Sequence, residues 1–160
     1  MLSAVDLDAL ARLQETSFEL AGEGLRSSWP PESAMDAAQL GKFFEEHRYC
    51  VLATATRDGR PVARPVAYTV VGASFWLATV RGSRLRNLER TPWVSLVVSD
   101  GDAGSHRAVV VDGSVTVVDG PPADVARAWQ VRHGSPAQWA DAWVLLQPGR
   151  LLSYAAPDAR

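Results

Sequence analysis

The sequence holds a single cysteine, Cys50, among its 160 residues. One thiol cannot form an internal disulfide or supply a zinc site built from several cysteines, and a reducing cytoplasm is the expected compartment. The three histidines, His47, His106 and His133, lie far apart without the close spacing of metal ligands. We therefore expect no metal site.

Long apolar runs and strong net charge are also missing. No apolar stretch approaches the roughly 20 residues that a membrane-spanning helix needs. The start of the chain is acidic and amphipathic, unlike a secretory signal. The formal net charge of -2 argues against nucleic acid as the main partner. With 47% hydrophobic and 21% charged residues, the composition is that of one ordinary globular domain.

Positive charge is nevertheless concentrated in the middle of the chain. Between residues 57 and 90, Asp58 and Glu89 are the only acidic residues. The arginines of the same segment are Arg57, Arg60, Arg64, Arg81, Arg84, Arg86 and Arg90. Such an asymmetry indicates an anionic ligand of modest size, with a solvated basic face as the alternative.

The N-terminal part of the chain is predicted to be helical. Ser3 and Asp6 have the form of a capping box, and the leucines that follow recur at helical spacing. Two adjacent prolines then end this first helix. A second helix is predicted from about Ala34 to His47. We divide the single domain into an N-terminal helical extension, residues 1–33, and a core, residues 34–160.

After the second helix the apolar period changes to two, which predicts about six antiparallel strands. Asp58-Gly59 is a strong hairpin signal, and Asp112-Gly113 suggests a bulge or close approach within a long fifth strand. Segment 121–134 is predicted to be a third long helix and segment 135–142 a further helical turn. The chain closes with a last strand or hairpin that turns at Pro148-Gly149. A small closed barrel fits best, because closure removes sheet edges.

The arginine-rich segment 78–92 connects the third strand to the fourth. It predicts a short helix, Ser83 to Arg90, with Ser83 as its N-cap and Thr91-Pro92 as its end. A helix N-terminus offers free N–H groups and a partial positive charge, which suit a phosphate. Arg81 and Arg84 lie beside that terminus, so we predict a phosphate site there.

Arg64 is a second candidate for the same site. Alternation along its strand places it on one face with Val62, Val66 and Tyr68. A charge on an apolar face is costly unless it is paired or bound to a ligand. The alternatives are an ion pair with a distant acidic residue and a position at the rim of the barrel.

These segments resemble the pyridoxamine 5'-phosphate oxidase-like split-barrel flavoproteins, over residues 36–119. The most specific parts are a D-G-R-P turn and a T-x-x-G-S-R-x-x-N-L-x-x-x-P segment. The resemblance implies a mainly β, α+β fold: a six-stranded antiparallel split β-barrel of Greek-key topology, with flanking helices and here an extra N-terminal helix. It also implies a homodimer with flavin clefts between the subunits.

The resemblance further implies which residues bind the cofactor. Residues of the R-P-V strand line the flavin, a strand end and the following turn hold its phosphate, and an asparagine braces that turn. In this sequence they are Arg64, Pro65, Val66, Ala78, Thr79, Arg81, Ser83, Arg84 and Asn87.

The implied function is that of an FMN-dependent oxidoreductase acting on a small molecule. No Ser-His-Asp or paired-carboxylate pattern indicates a catalytic residue, so no catalytic residue is predicted. The chain ends in LLSYAAPDAR rather than in the basic segment that holds pyridoxamine phosphate in true oxidases, so that substrate is not expected. The alternatives are a reductase using the deazaflavin F-420, with Arg57 and Arg60 extending a basic groove, and a non-catalytic flavin-binding protein.

Overall fold

A computed structural model of the chain describes residues 2–159. Within that range the α-helices are α1 (Ala4–Glu19), α2 (Glu23–Ser28), α3 (Ala37–Glu46), α4 (Ser83–Arg90) and α5 (Ala123–His133). The strands are β1 (Tyr49–Ala55), β2 (Pro61–Val71), β3 (Ser74–Thr79), β4 (Trp93–Asp100), β5 (Arg107–Val118) and β6 (Ala142–Ala155). None of these helices is both long and apolar enough to cross a membrane.

The strands form one closed barrel in the order β1-β2-β3-β6-β5-β4, and every neighbouring pair is antiparallel. Because β4 lies beside β1, the first four strands have the spatial order 4-1-2-3 of a Greek key. The expected six-stranded antiparallel barrel with flanking helices is confirmed.

The β1–β2 hairpin extends past β3 on one side, while on its other side β1 pairs with β4 from Val51 to Ala53. Its turn contains Gly59 at φ 79°, a left-handed conformation that glycine adopts without strain. All of β1 pairs with β2, from Tyr49 opposite Ala67 to Ala55 opposite Pro61. The pairing of β2 with β3, by contrast, begins only at Tyr68. Residues 61–67 of β2 therefore pair on one side only, and with β1 they form a projecting arm.

Two apolar clusters hold the fold together. The main core fills the barrel, and α3 adds Phe43 and Phe44 to it, both almost fully buried. Side chains from all six strands complete it, among them Leu52, Tyr68, Phe75, Leu77, Leu96, Val109, Leu146 and Leu151. A second cluster joins α5 to the outside of β3 and β6, where the rings of Trp129 and Trp143 meet edge to face at 5.0 Å.

Helix α1 covers the half of β6 that β3 leaves unpaired. The pairing of β3 with β6 stops at Leu146, so the edge beyond it needs other partners. The Leu151 N–H donates to Ser17 Oγ at 3.0 Å. The Ser153 hydroxyl donates to Gln14 Oε1, and Gln14 Nε2 donates to the Met35 carbonyl at 2.8 Å. The N-terminal extension thus seals one seam of the barrel through buried hydrogen bonds.

Two predicted helical elements need correction, and one helix is missing from the prediction. The second helix begins at Ala37 rather than Ala34, because Asp36 and Gln39 form a capping box there. A short helix, α2, precedes it and was not predicted. Segment 135–142 is not helical; it contains a turn in which the Ala140 N–H donates to the Ala137 carbonyl, and then enters β6.

Pro148-Gly149 is not a turn, because β6 runs through it as one strand. The register jumps from Asp112 opposite Arg150 to Gly113 opposite Pro148, so Gly149 is the extra residue of a bulge. A Cβ on Gly113 would lie 2.1 Å from the Gln147 carbonyl oxygen, far inside contact distance. Of the two alternatives expected at Asp112-Gly113, the close approach is confirmed at Gly113, and the bulge lies opposite it in β6, with Gly149 as its extra residue.

The hydrogen bond from β6 to α1 predicts that a variant without the Ser17 hydroxyl is less stable than the original protein. Ser17→Ala leaves the buried Leu151 N–H without its acceptor, which costs about 1–3 kcal/mol. Urea unfolding of the two proteins measures this difference. The control is Ser27→Ala in exposed α2, which should change the unfolding free energy by less than about 0.5 kcal/mol. Equal stability of the Ser17 and Ser27 variants would contradict the role given to α1.

The barrel interior also predicts the reactivity of the one cysteine. Burial raises the pKa of the Cys50 thiol from 9.0 to about 12. The native protein should therefore resist alkylation by iodoacetamide at pH 8, whereas the urea-unfolded chain should react, as mass spectrometry would show. Since only the unfolded thiol ionises between pH 9 and about 12, the contribution of Cys50 to stability is complete below pH 9 and falls across that interval. Rapid alkylation of the folded protein would contradict the burial of the Cys50 thiol and its raised pKa.

Candidate functional site

A cleft of about 280 Å³ lies between the β1–β2 arm and the turn that leads from β3 into α4. One wall is the inner face of the arm, where the ladder places Leu52 opposite Arg64 and Thr54 opposite Val62. The other wall is formed by Thr79, Val80, Gly82, Ser83 and Arg84. We refer to this space as the arginine cleft.

Arg84 spans the two walls. Its Nη1 atom lies 3.4 Å from Thr79 Oγ1, and its Nη2 atom lies 3.4 Å from the Pro65 carbonyl oxygen. Partial burial lowers the pKa of this guanidinium, and the nearby charge of Arg64 acts in the same direction. Within residues 2–159, no carboxylate lies within 4.0 Å of either guanidinium. Two unneutralised cations therefore face one cleft, which favours an anion.

The N-terminus of α4 opens onto the same cleft. Gly82 is its N-cap, and no side chain caps the helix. The backbone N–H groups of Ser83, Arg84 and Leu85 have no acceptor in the part of the chain that the structure describes. The prediction of Ser83 as the N-cap is wrong: Ser83 is the first helical residue, and its hydroxyl lies in the cleft lining. An uncapped terminus leaves these donors and the positive end of the helix dipole available to a ligand.

Arg64 is on the predicted face of its strand but is exposed rather than buried. Its Nη1 atom donates to the neighbouring Ala63 carbonyl at 2.8 Å. Because the arm projects past β3, this face of the strand is open to solvent at Val62 and Arg64 and enters the core only at Val66. Arg64 therefore lies at the rim of the barrel, where solvent reaches its charge without an ion pair to a distant acid, and it also lines the cleft.

Two further predicted residues support the cleft without lining it. Asn87 is buried in α4, and its Nδ2 atom donates to Thr54 Oγ1 at 3.2 Å, so it fixes a lining side chain. Pro65 contributes its carbonyl oxygen to Arg84. Leu52 and Thr54 were not among the predicted site residues, although the Asp58-Gly59 hairpin fixes the register that places them opposite Arg64 and Val62.

Three other predicted residues lie away from the cleft. Val66 is buried in the main core. Ala78 is fully buried in the second cluster, on the opposite face of β3 from Thr79. Arg81 takes part through its backbone, whose N–H donates to Asp141 Oδ2 at 2.8 Å, and its side chain is not in the lining. The structure thus assembles Arg64, Thr79, Ser83 and Arg84 in one lining.

The titratable groups usually found in acid–base catalysis lie elsewhere. His47 contacts the Phe43 carbonyl at 2.7 Å and Asp100 at 2.9 Å, and His133 Nε2 lies 3.0 Å from the Tyr68 carbonyl oxygen. Among residues 2–159, no group of three His, Cys, Asp or Glu side chains is placed to hold a metal ion. The chemistry that this lining offers is anion binding.

Comparisons with known proteins agree with this geometry. A family model described as pyridoxamine 5'-phosphate oxidase matches residues 37–156. The conserved hypothetical protein Rv2991 of Mycobacterium tuberculosis is 26% identical, with a TM-score of 0.70 over 79% of this chain and 89% of its own. No curated protein gives a significant match.

Two more distant solved structures share the fold. A FAD-binding protein of Mesorhizobium loti is 21% identical, with a TM-score of 0.61 over 75% of this chain and 93% of its own. HutZ, the heme storage protein of Vibrio cholerae, is 18% identical, with a TM-score of 0.61 over 77% of this chain and 97% of its own. Because the family model spans most of the barrel and the cleft, the chain belongs to the pyridoxamine 5'-phosphate oxidase-like split-barrel family.

Proposed function

We propose that this protein is a flavin-dependent oxidoreductase that holds FMN in the arginine cleft and acts on a small organic molecule. The observation that carries the proposal is the convergence of Arg84, Arg64 and the uncapped start of α4 on one space, with no carboxylate of residues 2–159 within 4.0 Å of either guanidinium. The family to which the chain belongs and a FAD-binding neighbour support a flavin as the ligand.

The phosphate of FMN would lie at the start of α4. The backbone N–H groups of Ser83 and Arg84 and the Arg84 guanidinium are donors aimed at one anion, and a phosphate presents several acceptor oxygens to them. Thr79 Oγ1 holds the guanidinium in place from the other side. Binding would satisfy donors that have no acceptor within the described chain, which is why this end of the cleft suits a phosphate.

The extent of the basic surface favours FMN over the deazaflavin F-420. A long anionic tail needs further cations, and Arg57 and Arg60 were the candidates for that groove. Both lie at the tip of the hairpin rather than in the cleft lining, and Arg60 Nε is paired with Asp58 Oδ2 at 2.9 Å. One phosphate therefore matches the charge that the cleft provides.

When bound, the flavin supplies the redox chemistry of the reaction. The protein's own residues bind and orient it: the arm offers an extended strand face through Val62 and Arg64, and Leu52 excludes water from the floor of the cleft. No side chain of the lining is a carboxylic acid or histidine, so proton transfer by the protein is not part of the proposal. The alternative of a flavin carrier without catalysis predicts tight FMN binding and no turnover with any electron donor.

We also propose that two copies of the chain complete the site. At about 280 Å³ the cleft is smaller than a typical cofactor pocket and open on one side. The outer face of the barrel beside the arm exposes Tyr49 (64%), Val51 (42%) and Trp93 (55%). A second copy that covers this face and also wraps around the edge of the arm would bury these apolar groups and reach the open side of the cleft, which lies on the opposite face of β1.

We propose that the protein is cytoplasmic. The support is that Cys50 is the single cysteine of the sequence, so the fold uses no internal disulfide, as is usual in a reducing compartment. Fractionation of cells that produce the protein, with antibody detection, tests the location directly.

The phosphate site predicts the effect of removing one cation. Arg84→Ala should weaken FMN binding roughly 10- to 100-fold, because hydrogen bonds to a charged group contribute about 1.5–3 kcal/mol. Calorimetric titration measures the affinity. Riboflavin, which has no phosphate, should bind both proteins alike.

The matched control is Arg86→Ala, which removes an exposed arginine from the same helix. It should leave FMN affinity within about twofold of the original protein. An Arg84 variant that binds FMN normally would exclude the phosphate site, and an original protein that binds no flavin would exclude the proposed function.

The interface predicts the oligomeric state. Val51→Asp places a charge at the centre of the exposed apolar face and should convert a dimer into a monomer, as light scattering at micromolar concentration would show. Leu20→Asp, at a more exposed apolar position just after α1, should leave the dimer intact. A monomeric mass for the unmodified protein would eliminate the shared cleft.

A further inference from the structure

Asp141 clamps the turn that forms one wall of the arginine cleft. Its carboxylate Oδ2 accepts the Arg81 N–H at 2.8 Å, and its own N–H donates to the Thr79 carbonyl at 3.0 Å. The two bonds grip the turn on either side of Val80. Directly after it, Ala142 pairs with Thr79 in the β3–β6 ladder, so the clamp is anchored in the barrel.

The two hydrogen bonds of Asp141 hold residues that directly precede, or contact, the anion-binding donors of the cleft. Thr79 Oγ1 contacts Arg84 Nη1, and Gly82, one residue beyond Arg81, is the N-cap of α4. No side chain caps this helix, so its start is held mainly by the preceding turn. A displacement of Arg81 would therefore move the N–H groups of Ser83 and Arg84 that converge on the anion.

We propose that Asp141 is the positioning residue of the anion site: it fixes the turn between β3 and α4 and so sets the affinity of the cleft for a phosphate group. This inference rests on the proposed function, and it adds a residue outside the cleft lining and outside the motif segment 79–92. Asp141 acts through the Arg81 amide and does not touch the ligand.

The role depends on a hydrogen-bond acceptor and not on negative charge. The negative charge of Asp141 repels a phosphate and so disfavours its binding. The contribution of Asp141 to the site is therefore the oxygen that accepts the Arg81 N–H. Asp141→Asn keeps an oxygen that can accept the Arg81 N–H and removes the charge. Asp141→Ala removes both, while the backbone bond from residue 141 to Thr79 remains in each variant.

The test compares FMN and riboflavin binding by calorimetry in the original protein and the two variants. Asp141→Ala should weaken FMN binding roughly five- to tenfold, because one hydrogen bond that orders the donors is lost. Asp141→Asn should bind FMN at least as tightly as the original protein. Riboflavin affinity should be unchanged in both, since a ligand without a phosphate does not use the start of α4.

Asp119→Ala is the control for the change in net charge, because it removes an exposed carboxylate after β5. It should leave FMN affinity unchanged. The inference is overturned if Asp141→Ala binds FMN normally, if it loses FMN and riboflavin equally, or if Asp141→Asn is as weak as Asp141→Ala.

A second readout separates this inference from the proposed function. Titration with inorganic phosphate, followed by the amide NMR signals of Ser83 and Arg84, reports on the anion site without any flavin. Saturable shifts that weaken in Asp141→Ala but not in Asp141→Asn would support the positioning role even if the protein binds no FMN. If the Ser83 and Arg84 amide signals of the original protein do not shift on addition of phosphate, the positioning role is overturned.

Discussion

The organisation of this molecule depends on an inequality of strand lengths. The arm formed by β1 and β2 is longer than β3, so residues 61–67 have a hydrogen-bonded neighbour on one side only. A barrel built from equal strands would have closed over this region with side chains. Here the missing neighbour leaves a gap that becomes the arginine cleft, while the outer faces of the paired strands β1 and β4 carry the exposed side chains of Tyr49, Val51 and Trp93.

Strand β6 is likewise longer than its neighbour β3, and there the unpaired part of the strand is covered by α1. Beyond Leu146 the strand has no β3 partner, and α1 supplies hydroxyl and amide groups that bond to its backbone and to Ser153. One open seam is thus sealed by polar side chains of the N-terminal extension, and the other is left open. The difference separates the part of the barrel that serves stability from the part available to a ligand.

Local patterns carried enough information for much of the fold. The Asp58-Gly59 turn and the bulge at Gly113 are fixed by backbone conformation and close approach, which short sequence signals report directly. Pro148-Gly149 carries an equally strong turn signal, but the bulge opposite Asp112 absorbs it within a continuous strand. Whether a Pro-Gly pair turns or bulges is decided by the partner strand, which a local pattern does not contain.

The site was predictable in its charge and less so in its geometry. Arg64, Thr79, Ser83 and Arg84 were identified from the motif and meet in one lining. Ala78 and Val66 are adjacent to lining or contacting residues in sequence but point into apolar clusters, because side chains alternate along a strand. Asp141 joins the turn from 60 residues away in sequence, through the β3–β6 ladder, so no spacing within the motif indicates it.

The seal on β6 has a consequence for how the fold tolerates shortening. The region that matches the family begins at residue 37, after α1 and the segment that contains Met35. A chain cut back to that region would keep every strand but expose the Leu151 N–H of β6 that Ser17 now accepts. An unprotected edge of this kind recruits strands from other molecules. Such a chain would keep the residues of its cleft but gain an exposed strand edge that favours edge-to-edge association.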